Sequence, residues 1–192
     1  MTRTRILPVL ALLPLAALAA CGSSGSSSSS PSKSASPAAT SMSGTETFKG
    51  SQTGKAAVAT TTAIPLTYSG PVTTTGTFNG GGPSPAEGQH HTFQTADGKF
   101  VLVVSGKPTT VQHASASTCY FSQVITVPYT VDGAASTGKF AGATGSGKVV
   151  VTFGAYGPKL SNGKCNTSNN AQPLAKGAYD TFLGSGPLTV KG

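Results

Sequence analysis

Hydrophobic and polar residues alternate along much of the chain after Thr45, and no apolar pattern of helical period and useful length accompanies them. The clearest case is Phe121–Val131, where apolar side chains predominate on one face and Ser and Thr on the other, and Gln123 interrupts the apolar face. A period of two residues predicts β-strands. The predicted strands are Glu46–Ser51, Ala56–Ala63, Val72–Phe78, His91–Thr95, Phe100–Ser105, Phe121–Val131, Lys148–Phe153, Ala178–Leu183 and Leu188–Lys191.

Glycine and proline separate these apolar runs and mark the turns. Asp97-Gly98 predicts the positive-φ turn of a hairpin between two apolar runs, and Asp132-Gly133 predicts a similar turn after the long strand. Many short strands at this spacing indicate an all-β fold, either a small antiparallel barrel or a sandwich of about eight to ten strands. We assign this fold, without helices, to residues 45–192.

The N-terminal segment has a different pattern. Arg3 and Arg5 precede an almost wholly apolar run, Ile6–Ala20, which is the layout of a secretory signal peptide over residues 1–20. The alternative is a membrane-spanning helix, which needs about 20 apolar residues. Because Pro8 and Pro14 interrupt the run and a Ser tract rather than a basic flank follows it, we favour the signal peptide.

Leu18-Ala19-Ala20-Cys21 closes this segment and resembles the lipobox of bacterial lipoproteins. The resemblance implies that a diacylglyceryl group is attached to the Cys21 thiol, that a peptidase cleaves before this residue, and that further acylation (palmitate) follows. The mature protein is then expected on the extracytoplasmic face of the cell membrane, held in membrane lipid by its acyl chains. The whole chain also resembles small lipoproteins of high-GC Gram-positive bacteria, which indicates a location in the cell envelope.

Residues 21–44 follow the predicted cleavage point and are rich in Ser, Gly and Pro, with few apolar side chains. Such a segment does not bury enough apolar surface to offset the entropy lost on ordering. We therefore predict a flexible tether that separates the lipid anchor at Cys21 from the folded domain.

The net charge bears on the partners. The chain has 192 residues and a formal charge of +8, and without residues 1–20 it retains eleven lysines against five acids, or +6. These lysines are single and scattered, whereas nucleic-acid-binding proteins carry basic residues clustered on one face or interleaved with aromatics. We expect no nucleic-acid partner, but a solvated basic surface that faces anionic envelope polymers or lipid headgroups.

Cysteine usage predicts one covalent cross-link. When Cys21 is lipidated, Cys119 and Cys165 remain in an oxidising compartment, and we predict that they form a disulfide. Two free thiols or metal ligands are the alternative, which is disfavoured because no cysteine pair lies at the spacing of metal ligands.

Gly142–Lys148 nearly matches the phosphate-binding P-loop, GxxxxGK followed by Ser or Thr. Val149 stands where the magnesium-binding hydroxyl belongs, and a strand rather than a helix is predicted to follow. The segment is therefore interpreted as a glycine-dependent crossing between two strands.

The longer segment Ser136–Val151 resembles the GTG-x-F-x-GA-x-G loop of dirigent and allene-oxide-cyclase-type β-barrels. The resemblance covers the last third of the chain and implies an eight-stranded barrel, which in some members binds or steers small hydrophobic molecules. Thr144 stands where dirigent sequences commonly have arginine, and the acidic residues associated with their catalysis have no evident counterparts. The resemblance thus implies the barrel without the chemistry.

The histidines are His90, His91 and His113, and strand parity with Phe93 and Val111 indicates that His91 and His113 can both face inward. A pair of interior imidazoles can bind Zn²⁺ or Cu²⁺. No carboxylate or cysteine at short spacing completes such a shell, so we favour histidines satisfied by hydrogen bonds and assign no metal or cofactor. The candidate pocket residues are His91, His113, Gln123 and Tyr129.

Familiar catalytic motifs are missing from the predicted domain: it has few acids, no GxSxG elbow, and no thiol outside the predicted disulfide. No catalytic residue is assigned. The favoured function is a cell-envelope lipoprotein whose β-domain is a binding or structural module. The alternative is a dirigent- or allene-oxide-cyclase-like barrel that holds or isomerises a small hydrophobic molecule. A side-chain-filled interior favours the first function, and a hollow interior with polar groups favours the second.

Overall fold

The structure is a computed structural model that describes residues 40–59, 63–79, 85–168 and 171–192. These residues form nine strands, a single-turn helix and a 3-10 helix. The strands are β1 (Ser41–Thr53), β2 (Ala63–Ser69), β3 (Thr74–Asn79), β4 (His90–Thr95), β5 (Gly98–Val104), β6 (Thr109–Ser115), β7 (Tyr120–Val131), β8 (Thr144–Tyr156) and β9 (Leu174–Lys191). The helix α1 is Lys55–Val58, and the 3-10 helix is Gly138–Phe140.

Eight of the strands close into an antiparallel barrel in the order β1-β2-β3-β4-β5-β7-β8-β9, and β9 returns to β1. The C-terminal part of β7 closes the ring by pairing with β5, from Val104 opposite Tyr129 to Leu102 opposite Val131. The remaining strand, β6, pairs with the N-terminal part of β7 outside the ring. The all-β prediction is confirmed, and of its two forms the structure is the barrel.

Phe48 is the centre of the barrel core. Its ring is fully buried, and its centroid lies between 5.4 and 6.1 Å from those of Tyr68, Phe93, Phe100, Tyr129 and Phe182. The five partners come from five different strands, so the Phe48 side chain on β1 contacts most strands of the barrel. Aromatic contacts of this kind stabilise a core beyond the area they bury.

One end of the barrel is plugged. Phe140, on the 3-10 helix between β7 and β8, is fully buried, and its ring centroid lies 4.6 Å from that of Phe100. Val72, Leu188 and Val190 are buried in the same cluster. We call this the closed end; it carries the β2–β3, β4–β5 and β7–β8 connections. The opposite end, where β2 and β4 begin, is called the open end.

The predicted strand Ala56–Ala63 is wrong in its first part, because Ala56–Val58 belongs to the short helix α1. Residues 60–62 lie outside the described residues, and Ala63 is the first residue of β2. The physical reason is packing of small side chains, because Ala57 is buried against Ala155 and Ala178 in a satellite cluster at the open end. Small contacting residues let a helical turn approach the strands closely, which the local pattern does not reveal.

The strand predictions differ from the structure at two further places. The strand β6, Thr109–Ser115, is absent from the predicted strands because its side chains are exposed or partly exposed on both faces and its sequence has no alternating apolar pattern. Ala178–Leu183 and Leu188–Lys191 were predicted as separate strands, but β9 is continuous. Gly184 and Gly186 are not turn residues. They lie within β9, where atoms of the neighbouring strands leave no room for a side chain.

The predicted turns have mixed outcomes. The Asp97-Gly98 hairpin is confirmed, and Gly98 has a φ of 131°. Gly133 is not among the described glycines with positive φ; instead Asp132 Oδ1 accepts a hydrogen bond from the Ala135 N–H at 3.0 Å and begins a longer connection. The P-loop-like segment enters β8 at Thr144 and has no helix after it.

The first strand begins at Ser41, earlier than the predicted domain boundary. Ser41–Gly44, which the sequence assigned to the tether, pairs with β9 from Lys191 to Leu188. The predicted signal peptide and the rest of the predicted tether, including Cys21, lie outside the described residues.

The predicted disulfide between Cys119 and Cys165 is confirmed, with an S–S distance of 2.05 Å. Cys119 ends the turn between β6 and β7, and Cys165 lies in the connection between β8 and β9. The bond therefore ties two connections together at the open end of the barrel. Closing a loop of this length restricts the unfolded chain and stabilises the fold.

We predict that Gly184→Ala destabilises the protein strongly. Gly184 lies opposite Phe48 on the neighbouring strand, and a Cβ at this position would lie 2.1 Å from the Phe48 ring. Because the ring is enclosed on all sides, the free energy of unfolding should fall by about 1–3 kcal/mol or more, measured by denaturant titration. Gly106→Ala is the control, since its Cβ would lie 3.5 Å from the nearest side-chain atom, and it should change stability by less than about 0.5 kcal/mol. Equal losses in both variants would contradict the packing argument.

Candidate functional site

A cavity of about 260 Å³ occupies the open half of the barrel. Most of its wall is apolar, with β-branched side chains from β7 and β8 on one side and aromatic rings on the other. The lining residues are Ile64, Phe78, Asn79, Pro85, Gln89, His91, Phe93, Leu102, Val104, Ile125, Val127, Tyr129, Val149, Val151, Asp180 and Phe182. An apolar wall with a few converging polar groups is typical of small-molecule sites.

Strand alternation explains which side chains reach the cavity. His91 shares a face of β4 with Phe93, and Asp180 shares a face of β9 with Phe182. Both phenylalanines are buried in the core, so the two polar residues that alternate with them also point into the barrel. They lie one step closer to the open end.

Asp180 is the carboxylate of this site. Its Oδ2 accepts a hydrogen bond from Gln52 Nε2 on β1 at 3.4 Å. Asp180 Oδ1 and Gln52 Oε1 are both buried and have no hydrogen-bond partner among the described residues. Burial raises the pKa of Asp180 above its usual range, and the bond from Gln52 opposes this only in part.

His91 is a second titratable residue that lines the cavity. Its Nε2 is buried without a hydrogen-bond partner in the described part of the chain, and its ring centroid lies 6.2 Å from that of Phe78. Burial lowers the pKa of His91, because the imidazolium would lose its hydration. The imidazole is therefore neutral at pH 7.

A buried acid lies deeper, towards the closed end. Glu46 on β1 is 1% exposed, and its Oε2 accepts a hydrogen bond from the Val72 N–H at 3.0 Å. Its Oε1 and the Tyr68 hydroxyl are buried with no hydrogen-bond partner among the described residues. Burial raises the pKa of Glu46. Burial and the charge of Glu46 raise the pKa of Tyr129 to about 12, and they raise that of Tyr68 as well.

Glu46 and Asp180 are the site residues that sequence reasoning missed. Glu46 begins the predicted strand Glu46–Ser51 and shares strand parity with Phe48. Asp180 shares parity with Phe182 in the same way. An acid in phase with buried aromatics on a predicted strand was the available signal, because it predicts a carboxylate inside the barrel.

The predicted pocket residues are separated by the structure. His91 and Tyr129 line the cavity. Gln123 shares the face of β7 with Ile125 but lies further out, in a more open depression beside Glu87. His113 is exposed on β6, outside the ring of strands, so it does not face inward as its parity had indicated. This parity argument fails because β6 has no buried face.

The described residues contain no group of three or more His, Cys, Asp or Glu side chains arranged to hold a metal ion. They also contain no helix that is long and apolar enough to cross a membrane. No family model matches the chain, and no curated protein or solved structure shows a significant match to it. The function is therefore inferred from the geometry of the cavity and its polar groups.

We predict that Glu46→Gln gives a protein as stable as the parent or more stable at pH 7. Gln retains an acceptor for the Val72 N–H and removes a charge that burial disfavours. The pKa of Glu46 is higher in the folded protein than its ordinary value of 4.5. The contribution of Glu46 to the free energy of unfolding is therefore most favourable below pH 4.5, where the carboxyl group is protonated in both states. It becomes less favourable as the pH rises through the raised pKa.

The test is the melting temperature of both proteins between about pH 4 and pH 8. The difference in favour of Glu46→Gln should vanish at the acidic end and grow towards neutrality. The exposed Glu87→Gln serves as control and should show no such trend. A clear loss of stability in Glu46→Gln at pH 7 would mean that ionised Glu46 stabilises the fold.

Proposed function

We propose that this chain is a lipid-anchored protein of the extracytoplasmic cell envelope whose barrel binds a small, mainly apolar molecule in the cavity at its open end. The observation that carries the binding proposal is the contrast between the two halves of one barrel. The closed half is filled by packed aromatic rings, while the open half contains a cavity of about 260 Å³.

The composition of the wall supports ligand binding. Protein interiors are usually packed to the density of organic crystals, so a cavity of this size in a small domain is unusual. Small-molecule sites commonly span roughly 300–1,000 Å³, and a slightly smaller cavity favours a correspondingly small ligand. The unpartnered polar atoms of His91 and Asp180 supply the orienting contacts that such sites need.

The lipid anchor and the location rest on the N-terminal sequence. The signal-like run and the lipobox resemblance at Cys21 support export and acylation. The disulfide between Cys119 and Cys165 supports an oxidising compartment. Partners of the basic surface are then anionic envelope polymers or lipid headgroups.

Isomerisation of the bound molecule is a second candidate function. The observation in its favour is that a neutral imidazole and a carboxyl group of raised pKa line the same apolar cavity. Groups with such shifted pKa values are suited to proton transfer. The resemblance of the segment Ser136–Val151 to allene-oxide-cyclase-type barrels supports the barrel of this candidate and not its chemistry.

We predict that Cys21→Ser abolishes acylation and membrane attachment. The diacylglyceryl group is joined to the protein through the Cys21 sulfur, and two or three acyl chains hold a small domain durably on a bilayer. Cells fed labelled palmitate should incorporate label into the parent protein but not into Cys21→Ser. Ser23→Ala, which keeps the thiol, should be labelled as the parent is. Label in the Cys21→Ser protein would place the acyl group elsewhere.

We predict that Val151→Phe blocks binding of a neutral apolar probe. Val151 lines the cavity, whereas its neighbour Val150 has the opposite strand parity and does not. The added ring should occupy the space that a ligand uses, and it should weaken binding of N-phenyl-1-naphthylamine by about tenfold or more. Probe fluorescence is measured on the full-length chain carrying Cys21→Ser, so that no acyl chain competes.

Val150→Phe on the same background is the matched control and should bind the probe as the parent does. The chain contains no tryptophan, so intrinsic fluorescence interferes little with the probe signal. Equal binding by both variants would show that the probe occupies a different site.

A further inference from the structure

The charged groups that line the cavity are of one sign. Among the described residues that line it, Asp180 is the one acid, and no lysine or arginine is present. His91 is neutral because burial lowers its pKa. An anionic ligand would therefore meet a carboxylate and no compensating cation, which is unfavourable in a poorly hydrated site.

The unpartnered atoms around Asp180 are hydrogen-bond acceptors. The bond from Gln52 Nε2 to Asp180 Oδ2 holds the two side chains together, and each is left with a buried oxygen that has no partner in the described part of the chain, Gln52 Oε1 and Asp180 Oδ1. A buried acceptor without a donor is costly. Since Asp180 lines the cavity, its Oδ1 offers a contact to a donor on a ligand, and a primary ammonium carries three donors and no acceptor.

Aromatic rings lie next to this acceptor pair. Phe182 is two residues along β9 on the same face as Asp180, and its ring centroid lies 5.0 Å from that of Phe78 and 5.6 Å from that of Phe93. Ring faces attract cations that have been removed from bulk water. An ammonium at Asp180 would thus find both a counter-charge and aromatic neighbours.

We propose that the cavity selects a small molecule with an apolar body and a protonated primary amine, with the ammonium at Asp180 and the body among the rings and β-branched side chains. This specificity rests on the proposed binding function. A neutral hydroxyl can donate one hydrogen bond here and should bind less tightly. A carboxylate of the same length should bind least.

The test uses a matched series of octylamine, 1-octanol and octanoate at pH 7. Each competes with the neutral probe N-phenyl-1-naphthylamine for the full-length chain carrying Cys21→Ser. We expect octylamine to displace the probe at a concentration about tenfold or more below that of octanoate, with octanol between them. This comparison uses no cavity variant, so it does not depend on whether a substitution folds.

Asp180→Asn, on the same background, assigns the preference to one side chain. It should bring octylamine and octanol within about threefold of each other, while octanol itself changes little. Glu87→Gln removes one acid from the same end of the protein without lining the cavity, and it should preserve the preference. Melting curves of both variants check that they are folded.

The outcomes separate the two proposals. If the probe binds and octanoate displaces it as well as octylamine does, selection of an amine is refuted while the apolar binding site stands. The same conclusion follows if Asp180→Asn leaves the amine preference intact. If neither the probe nor any member of the series binds, the proposed binding function fails together with its specificity.

Discussion

Closure of the barrel depends on one strand, β7, which has two partners on the same edge. Its C-terminal part pairs with β5 and completes the ring, while its N-terminal part pairs with β6 beyond the ring. Once the ring is closed, the interior volume is fixed and its side chains must fill it or leave a cavity. Phe48 fills the centre only because Gly184, opposite it, has no side chain.

The size of the interior side chains explains why the closed half of the barrel is filled and the open half contains a cavity. Around Phe48 and towards the closed end, rings from many strands meet, and Phe140 covers them. Towards the open end, β7 and β8 contribute β-branched residues, such as Ile125 and Val151, where the other half has aromatics. Smaller side chains on these strands cannot reach the opposite wall, and the cavity is the space that remains.

Sequence reasoning located the features whose causes are local. Alternation in Phe121–Val131 gave the longest predicted strand, and parity placed His91 on the inner face. It failed for β6, which has no buried face, and at Gly184, where glycine makes room for the Phe48 ring on the neighbouring strand instead of forming a turn. It also failed for Gln123, because parity gives the direction of a side chain but not its depth. The cavity itself depends on neighbours distant in sequence, which no local pattern contains.

The two interior acids differ in their position relative to the cavity: Asp180 lines it, and Glu46 does not. Glu46 lies at the level of the closed end and accepts a hydrogen bond from a backbone N–H in the β2–β3 connection, so part of its desolvation is offset by fixing that loop. Asp180 accepts its hydrogen bond from the side chain of Gln52, and its Oδ1 has no partner among the described residues. Glu46 Oε1 likewise has no partner in the described part of the chain. The difference is that Asp180 lines the cavity, where a donor on a ligand can reach it, whereas Glu46 does not.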